Sequence, residues 1–384
     1  MKRNRTRLTT CVISAALLTA VVASPTLGSA AGLANTPFAI KATNAEKPSI
    51  FAIRPFLKDG ASTPGAGAGG TATPAPPVTA TPTPPPTTAP APSYPTPTDE
   101  VTFTWSVLPD GTASLSSMRT GFTITDIVIP KTTNVNGANR VVTAIAASAF
   151  ANKGITSVVI PDTVSSIGGF AFSGNQLTSI ALPKSLTLLN IGVFNNNKIS
   201  SLVIPDNITS VGQSAFQGNS LSSLTIGSSV TTLGVFAFDQ NALTAVTLPA
   251  SLKTISSNAF SNNSLQSISI PGNVETIGSS AFRYNNLKTV NLSTGLKSIG
   301  DNAFLFNPDI AGLSVPSTVT VIGVNAFSFA NLNAIYMEGN APTTFTAAGS
   351  SGSFTAATGK TIYYKAGATG YTIPTWKGYS TATY

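Results

Sequence analysis

Ser166-Ile167-Gly168-Gly169-Phe170-Ala171-Phe172-Ser173-Gly174-Asn175-Gln176-Leu177-Thr178-Ser179-Ile180-Ala181-Leu182-Pro183 is one turn of a pattern that returns along most of the chain. Its Phe172 belongs to the series Phe150, Phe172, Phe194, Phe216, Phe238, Phe260, Phe282, Phe304 and Phe327, in which seven of the eight steps are 22 residues and the last is 23. A fixed period of this length predicts a repeat solenoid, in which each coil buries its apolar face against the next.

With each Phe as position 0, Leu or Ile recurs at +5 (Leu177, Leu221, Leu265) and branched apolar residues recur at +8 (Ile180, Leu224, Ile268) and +10 (Leu182, Ile226, Ile270). Others fill +14 (Leu186, Val230, Val274) and +17 (Leu189, Leu233, Ile277). The spacing predicts a short parallel strand over +7 to +10 with +8 and +10 inward, because strand side chains alternate between faces. A second extended piece is expected over +14 to +17, and a helical turn over the Ala-Phe segment. Glycines at +18 (Gly168, Gly212, Gly234, Gly278, Gly300), with Gly323 at +19 in the 23-residue step, mark the bend before it. Phe172, Phe194, Phe216, Phe238, Phe260, Phe282 and Phe304 form the expected internal column, with Phe327 near its end and covered there by a cap alone. Asn at +3 (Asn175, Asn197, Asn219, Asn241, Asn263, Asn285, Asn307) reads as a second structural ladder, its amides satisfying backbone groups of adjacent coils.

The pattern Ile-Gly-x-x-Ala-Phe-x-x-Asn-x-Leu-x-x-Ile-x-Ile-Pro resembles the BspA-like leucine-rich repeats of bacterial surface and secreted proteins. Ile277-Gly278-Ser279-Ser280-Ala281-Phe282-Arg283-Tyr284-Asn285-Asn286-Leu287 matches it nearly in full, and Ile362-Tyr363-Tyr364-Lys365-Ala366-Gly367 followed by Trp376 resembles the family's closing segment. The resemblance covers about residues 120–384. Internalin-type repeats share the length but lack the Ala-Phe and the Pro at +11 (Pro161, Pro183, Pro205, Pro249, Pro271). The resemblance implies a strand-rich, leucine-rich-repeat fold and an exported adhesion or protein-binding module of bacterial origin. It does not imply an enzyme.

Around the array, residues 1–31 read as a secretory signal: a basic start, Lys2 to Arg7, precedes the apolar run Cys11 to Ala23 and small residues suited to cleavage. That run falls short of the ~20 apolar residues that span a bilayer, so no transmembrane segment is expected in the mature chain. Residues 32–60 have no assigned role. Residues 61–98 hold twelve prolines among Thr, Ala and Gly, the composition of a disordered, semi-stiff linker. Residues 99–149 read as an N-terminal cap beginning with the alternating strand Val101, Phe103, Trp105, Val107 and a turn at Pro109-Asp110-Gly111. Residues 150–340 are the array. Residues 341–384 close it, with Thr361-Ile362-Tyr363-Tyr364 as the last strand and Tyr371, Trp376 and Tyr379 over the open end.

Composition narrows the chemistry. His is absent and the single Cys11 lies in the leader, which leaves no disulfide, no His or Cys metal site and no cofactor expected in the mature chain. Without Lys2, Arg3, Arg5 and Arg7, 21 basic residues become 17 against 13 acidic, a balance of +4 with no basic cluster, so nucleic acid is not an expected partner. Asp162 and Asp206, two repeats apart at about 4.8 Å per strand, are wider than an inverting glycosidase pair and have Lys184 between them. They read as a surface charge ladder, as do Lys253, Glu275 and Lys297.

The candidate binding face is the outward side of the main strands: Ser179, Ser201, Ser223, Thr225, Thr247, Ser267, Ser269, Thr289 and Asn291. It is small, neutral and nearly free of the Trp, Tyr and Arg that anchor tight interfaces; Tyr284 and Tyr336 are the aromatic exceptions. Three readings stand: a secreted or surface-attached monomeric module that binds an extracellular protein or glycan, a structural spacer or matrix component without a ligand, and a polysaccharide-acting enzyme.

Overall fold

A computed structural model describes residues 97–98, 102–348, 351–354 and 360–384. The expected leader, residues 32–60, all of the linker but its last two residues, and Val101 lie outside the described residues.

The described array is a strand-rich solenoid whose coils stack in register. On one side, Ser201–Ile204 pairs in parallel with Ser223–Ile226, Ser267–Ser269 with Thr289–Asn291, and Gly312–Val315 with Ala334–Met337. Leu202 faces Leu224 and Ile204 faces Ile226, and all four are buried. Two-residue strands build the second side: Leu188–Leu189, Ser210–Val211, Thr232–Leu233, Thr254–Ile255, Thr276–Ile277, Ser298–Ile299, Val321–Ile322 and Thr344–Phe345 form one parallel sheet. These strands are shorter than the sequence suggests. In the 22-residue repeats they occupy +16 and +17, because +11 to +14 closes a tight turn: the N–H groups of Val164, Leu186 and Ile208 donate to the carbonyls of Pro161, Pro183 and Pro205.

The helical turn expected at Ala-Phe is corrected. No helix occurs among the described residues. Ala171 N–H donates to the Gly168 carbonyl and Ser173 N–H to that of Phe170, giving two overlapping four-residue turns. The intervening N–H groups leave the coil: Phe170 donates to Ile191, Phe172 to Val193 and Gly174 to Asn195 of the next one. Positions −2 and +2 around each Phe have positive φ, as at Phe170 (57°) and Gly174 (68°), or Ser280 (58°) and Tyr284 (54°). A left-handed residue on either side of the Phe ends any right-handed run, so a helix cannot propagate. The +18 glycines stand at the bend, Gly168 as the first residue of its turn. Their φ is not positive, but each lies hard against the preceding coil; a Cβ on Gly278 would sit 2.5 Å from Ser257 N. They permit close approach of backbones.

The Phe side chains stack through the centre, from Phe150 on Phe172 (5.1 Å) to Phe304 on Phe327 (4.8 Å), all fully buried. The column does not end at Phe327. Phe354, a residue of the C-terminal cap, lies 5.5 Å beyond it, so the cap covers Phe327 as expected but with a stacked ring, and Phe327 is sandwiched like the others. Both ends close edge-on, Phe103 against Phe150 at 88° and Tyr379 against Phe354 at 89°.

At the N-terminal end, Phe103–Val107 forms a hairpin with Ala113–Met118, whose turn is held by Asp110 accepting from Thr112. Thr132–Val135 and Ala138–Ile145 form a second hairpin about Asn136-Gly137, both of positive φ. The latter strand then pairs with Ser166–Ile167, so this end continues into the array without a break. At the other end Thr361–Tyr364 is not the last strand: Tyr379–Thr383 pairs with it in parallel and with Thr375–Trp376 antiparallel. Trp376 packs 4.5 Å from Phe345 and Tyr371 lies 4.5 Å from Tyr364.

Candidate functional site

All nine residues of the expected face are exposed. Ser201 is in register with Ser223, Ser267 with Thr289, and Ser269 with Asn291, whose amide donates 3.0 Å to the Ser269 hydroxyl. Ser179 and Thr247 are exposed in coils where the long strand is not regularly paired. The face is therefore a set of hydroxyl columns with little charge.

Towards the C-terminal end the same column changes character. Ser314 is in register with Tyr336, and Tyr336 with Tyr363. The two rings stack at 5.3 Å, and Tyr384 meets Tyr336 edge-on at 5.3 Å. Glu338 lies beside them, 2.8 Å from Lys365 and accepting from the Ser314 hydroxyl at 3.0 Å. The hydrogen bond from Lys365 holds the Glu338 carboxyl below its usual range, helped by Tyr384 and Ser314. Desolvation, then the neighbouring Glu338, pushes the Tyr384 phenol up to about 12. An open depression of about 570 Å³ lies on the same coils, lined by Lys288, Pro308, Asp309, Ala311, Asn331 and Asn333.

A second aromatic row runs along the +2 corner. Tyr284 stacks on Phe306 at 4.7 Å and Phe306 on Phe329 at 4.3 Å, with the Arg283 guanidinium 4.4 Å from the Tyr284 ring centre. Sequence reading singled out Tyr284 and Tyr336 alone. It missed Phe306 and Phe329 as companions of Tyr284, although both sit at +2 of their own repeats. It missed Tyr363 as the partner of Tyr336 because the closing segment lengthens the step between them.

The ladders are occupied with holding the coils together. Asn175, Asn197, Asn219, Asn241, Asn263, Asn285 and Asn307 each donate to the Phe carbonyl of the preceding coil, at 2.8–3.0 Å, and to that of their own. Their Oδ1 atoms accept backbone N–H groups from the preceding coil, Leu177 to Asn197 and Leu243 to Asn263 among them. The carboxylates do comparable work. Asp162 accepts the Lys184 N–H at 3.1 Å and Asp206 accepts the Ser228 N–H and hydroxyl at 2.6 and 2.9 Å. Glu275 pairs with Lys297 at 2.9 Å on the surface, a contact worth well under about 1 kcal/mol. Among the described residues no group of three or more His, Cys, Asp or Glu is placed to hold a metal ion, and no helix is long and apolar enough to cross a membrane. The geometry offers hydrogen bonding and aromatic contact.

The family profile described as BspA type leucine rich repeat region matches in six copies over residues 143–265 and 231–348, together more than half of the 384 residues. Comparison with curated proteins gave no match. Among solved structures, a leucine rich cell surface protein from Faecalibacterium prausnitzii is 20% identical, with 71% of this chain and 90% of that one covered at a TM-score of 0.44. The pneumococcal vaccine antigen PcpA is 16% identical, with 69% and 92% covered at 0.40. A leucine-rich repeat protein from Bacteroides ovatus is 18% identical, with 61% and 92% covered at 0.34.

Proposed function

The chain belongs to the BspA-type leucine-rich repeat family, and from that premise we propose that it is an exported, non-enzymatic binding module, secreted or held at the bacterial surface, that engages an extracellular protein or glycan. The observation that carries this reading is the long-strand face, where exposed hydroxyl columns run in register and end at the Tyr336 and Tyr363 rings. A periodic surface suits a periodic or extended ligand, since each coil repeats the same small set of contacts.

The domain reading accompanies it. Residues 1–31 act as an export signal, 32–60 have no assigned role, 61–98 are a Pro/Thr stalk, 99–149 and 341–384 cap the ends, and 150–340 are the array. Both aromatic ends are covered by their own caps, which suits a monomer. The test is binding of the exported chain to arrays of glycans and purified extracellular proteins. Saturable binding to a defined partner is expected; none on any surface would leave the spacer reading. The spacer reading has its own support in the smallness and neutrality of the hydroxyl columns, which lack the aromatic and Arg anchors of tight interfaces. The enzyme reading has little, since Asp162 and Asp206 are each engaged by backbone N–H groups of the next coil.

A further inference from the structure

We propose that the coils from Phe304 to Tyr363 carry a site for a neutral glycan, laid from the depression at Asn331 and Asn333 across Gly312 to the Tyr336 ring. This rests on the binding-module reading and gives it a place and a ligand class.

The Tyr336 ring is backed on one side by Tyr363, is met edge-on by Tyr384 and has Ser314 in register on the side away from Tyr363. A serine is too short to cover a ring, and Tyr336 remains 39% exposed. An open aromatic face flanked by hydroxyls is what the C–H face and hydroxyl edge of a pyranose ring require: an apolar platform with a few well-placed polar groups.

The neighbouring column is bare at the same level. Where most other coils present Ser or Thr (Ala245 is the exception), Gly312 pairs with Ala334, and a Cβ on Gly312 would meet nothing within 4 Å. Chain continuity links this floor to the depression, since Ala311 precedes Gly312 and Asn333 precedes Ala334. From Ala311 to Ser314 the strand advances about 10 Å at ~3.3 Å per residue, on the order of two sugar rings. Asn331, Asn333, Asp309 and Lys288 supply amide, carboxylate and ammonium groups for hydroxyls at the far end.

Three departures from the repeat coincide here. The step from Phe304 to Phe327 carries the one extra residue of the series, Gly312 replaces a hydroxyl residue, and Tyr336 stands where earlier coils have small side chains. Coil stacking requires none of them, because the Phe column runs through this region without interruption. Charge selects the class of glycan. Lys288 and Asp309 bring one charge of each sign to the lining of the depression and Lys365 neutralises Glu338, so nothing here favours a sulfated or uronic polymer over an uncharged one.

The experiment uses the full chain on an array of neutral, sulfated and uronic glycans, followed by titration of the best neutral oligosaccharide into variants. Tyr336→Ala and Asn333→Ala should each weaken binding about tenfold or more, while Tyr336→Phe and Lys253→Ala, exposed and away from the long-strand face, stay within about twofold. Both decisive side chains face solvent, so melts should stay close to the parent; if Tyr336→Ala melts early, Asn333→Ala decides. Neutral-glycan binding indifferent to both variants overturns the site. Binding lost in Lys253→Ala instead overturns the site and leaves the module reading intact. A purified protein bound through Tyr336 in place of any glycan overturns the ligand class. Absence of saturable binding to every glycan and protein overturns this inference and the module reading together.

Discussion

Asn263 Nδ2 donates 2.9 Å to the carbonyl of Phe238, 25 residues earlier and one coil away. The same amide donates to Phe260 and Ser261 of its own coil, while its Oδ1 receives the Leu243 N–H at 3.1 Å. One buried side chain thus satisfies backbone groups of two coils. Asn263→Ala leaves at least the Leu243 N–H and the Phe238 carbonyl without that partner, and an unsatisfied buried group costs about 1–3 kcal/mol. A loss of about 2–4 kcal/mol is expected by urea denaturation, against about 0.5 kcal/mol or less for Asn286→Ala at the exposed +4 position of the next coil. Asn263→Asp keeps the acceptor but turns a carboxylate on three carbonyls, so it should be no better than Ala. Equal melts for Asn263→Ala and Asn286→Ala would remove the ladder from the account of stability.

Phe238 and Phe327 should cost the same when truncated. Phe238 lies between Phe216 at 5.9 Å and Phe260 at 5.4 Å, and Phe327 lies between Phe304 at 4.8 Å and Phe354 at 5.5 Å. Both are 0% exposed. Each Ala variant leaves a cavity between two rigid coils, for a loss of about 3–5 kcal/mol. Denaturant melts that put Phe327→Ala about 2 kcal/mol or more above Phe238→Ala would mean that the cap relaxes around the gap and that Phe354 adds little.

The apolar columns were legible because solenoid stacking forces identical environments onto identical positions. Phe172, Leu177 and Leu189 therefore announced themselves by period alone. The corner was not legible. An Ala-Phe segment has fair helical propensity, but its N–H groups alternate between their own coil and the next, and left-handed residues such as Phe170 and Tyr284 carry no compositional flag for that geometry. Phe354 escaped because it lies outside the period, 27 residues after Phe327. The second N-terminal hairpin did carry a signal, Asn136-Gly137 between Val135 and Ala138, the dipeptide that two-residue hairpin loops prefer. In the candidate site, Tyr336 was visible as an exception to a bland face. Its companions Tyr363 and Tyr384, and the opening made by Gly312, depend on register across irregular steps.

Gly278 and Ser280 make an opposed pair. Gly278 has no left-handed requirement, yet a Cβ there would lie 2.5 Å from Ser257 N and 2.7 Å from Ser256 C. Backbone cannot yield as a side chain can, so Gly278→Ala should cost about 1–3 kcal/mol or more through forced separation of coils. Ser280 has φ 58° although it is not glycine. Ser280→Gly relieves about 1 kcal/mol of left-handed strain and gives back about 0.5–1 kcal/mol in unfolded-chain entropy, for a net change near zero. Urea midpoints of the two variants test the contrast. A neutral Gly278→Ala would mean that the coils are spaced more loosely than the Gly column implies.

Stability should fall on the alkaline side, and the C-terminal cap should account for part of the fall. Burial raises the Tyr371 phenol well above its ordinary value, with Tyr364 and Tyr384 nearby adding to it; its hydroxyl donates to the Gly339 carbonyl at 3.3 Å. Burial raises Tyr379 as well, against the hydrogen bond its oxygen accepts from the Phe354 N–H at 3.3 Å; its hydroxyl donates to the Phe354 carbonyl at 2.7 Å. In the unfolded chain a tyrosine ionises near pH ~10, whereas these two keep their protons when folded. Above that pH the unfolded state binds fewer protons than the folded one, so unfolding becomes easier as pH rises. The contribution is fully present below about pH 10 and is lost progressively above it. The chain has no His, so no side chain with an ordinary pKa near neutrality contributes a step there. Urea midpoints at about pH 8 and about pH 11 should separate by more in the parent than in Tyr371→Phe. That variant cannot ionise at this position, although losing its hydrogen bond lowers its midpoint at both pH values. An equal alkaline drop in both proteins would mean that Tyr371 is not the titrating group.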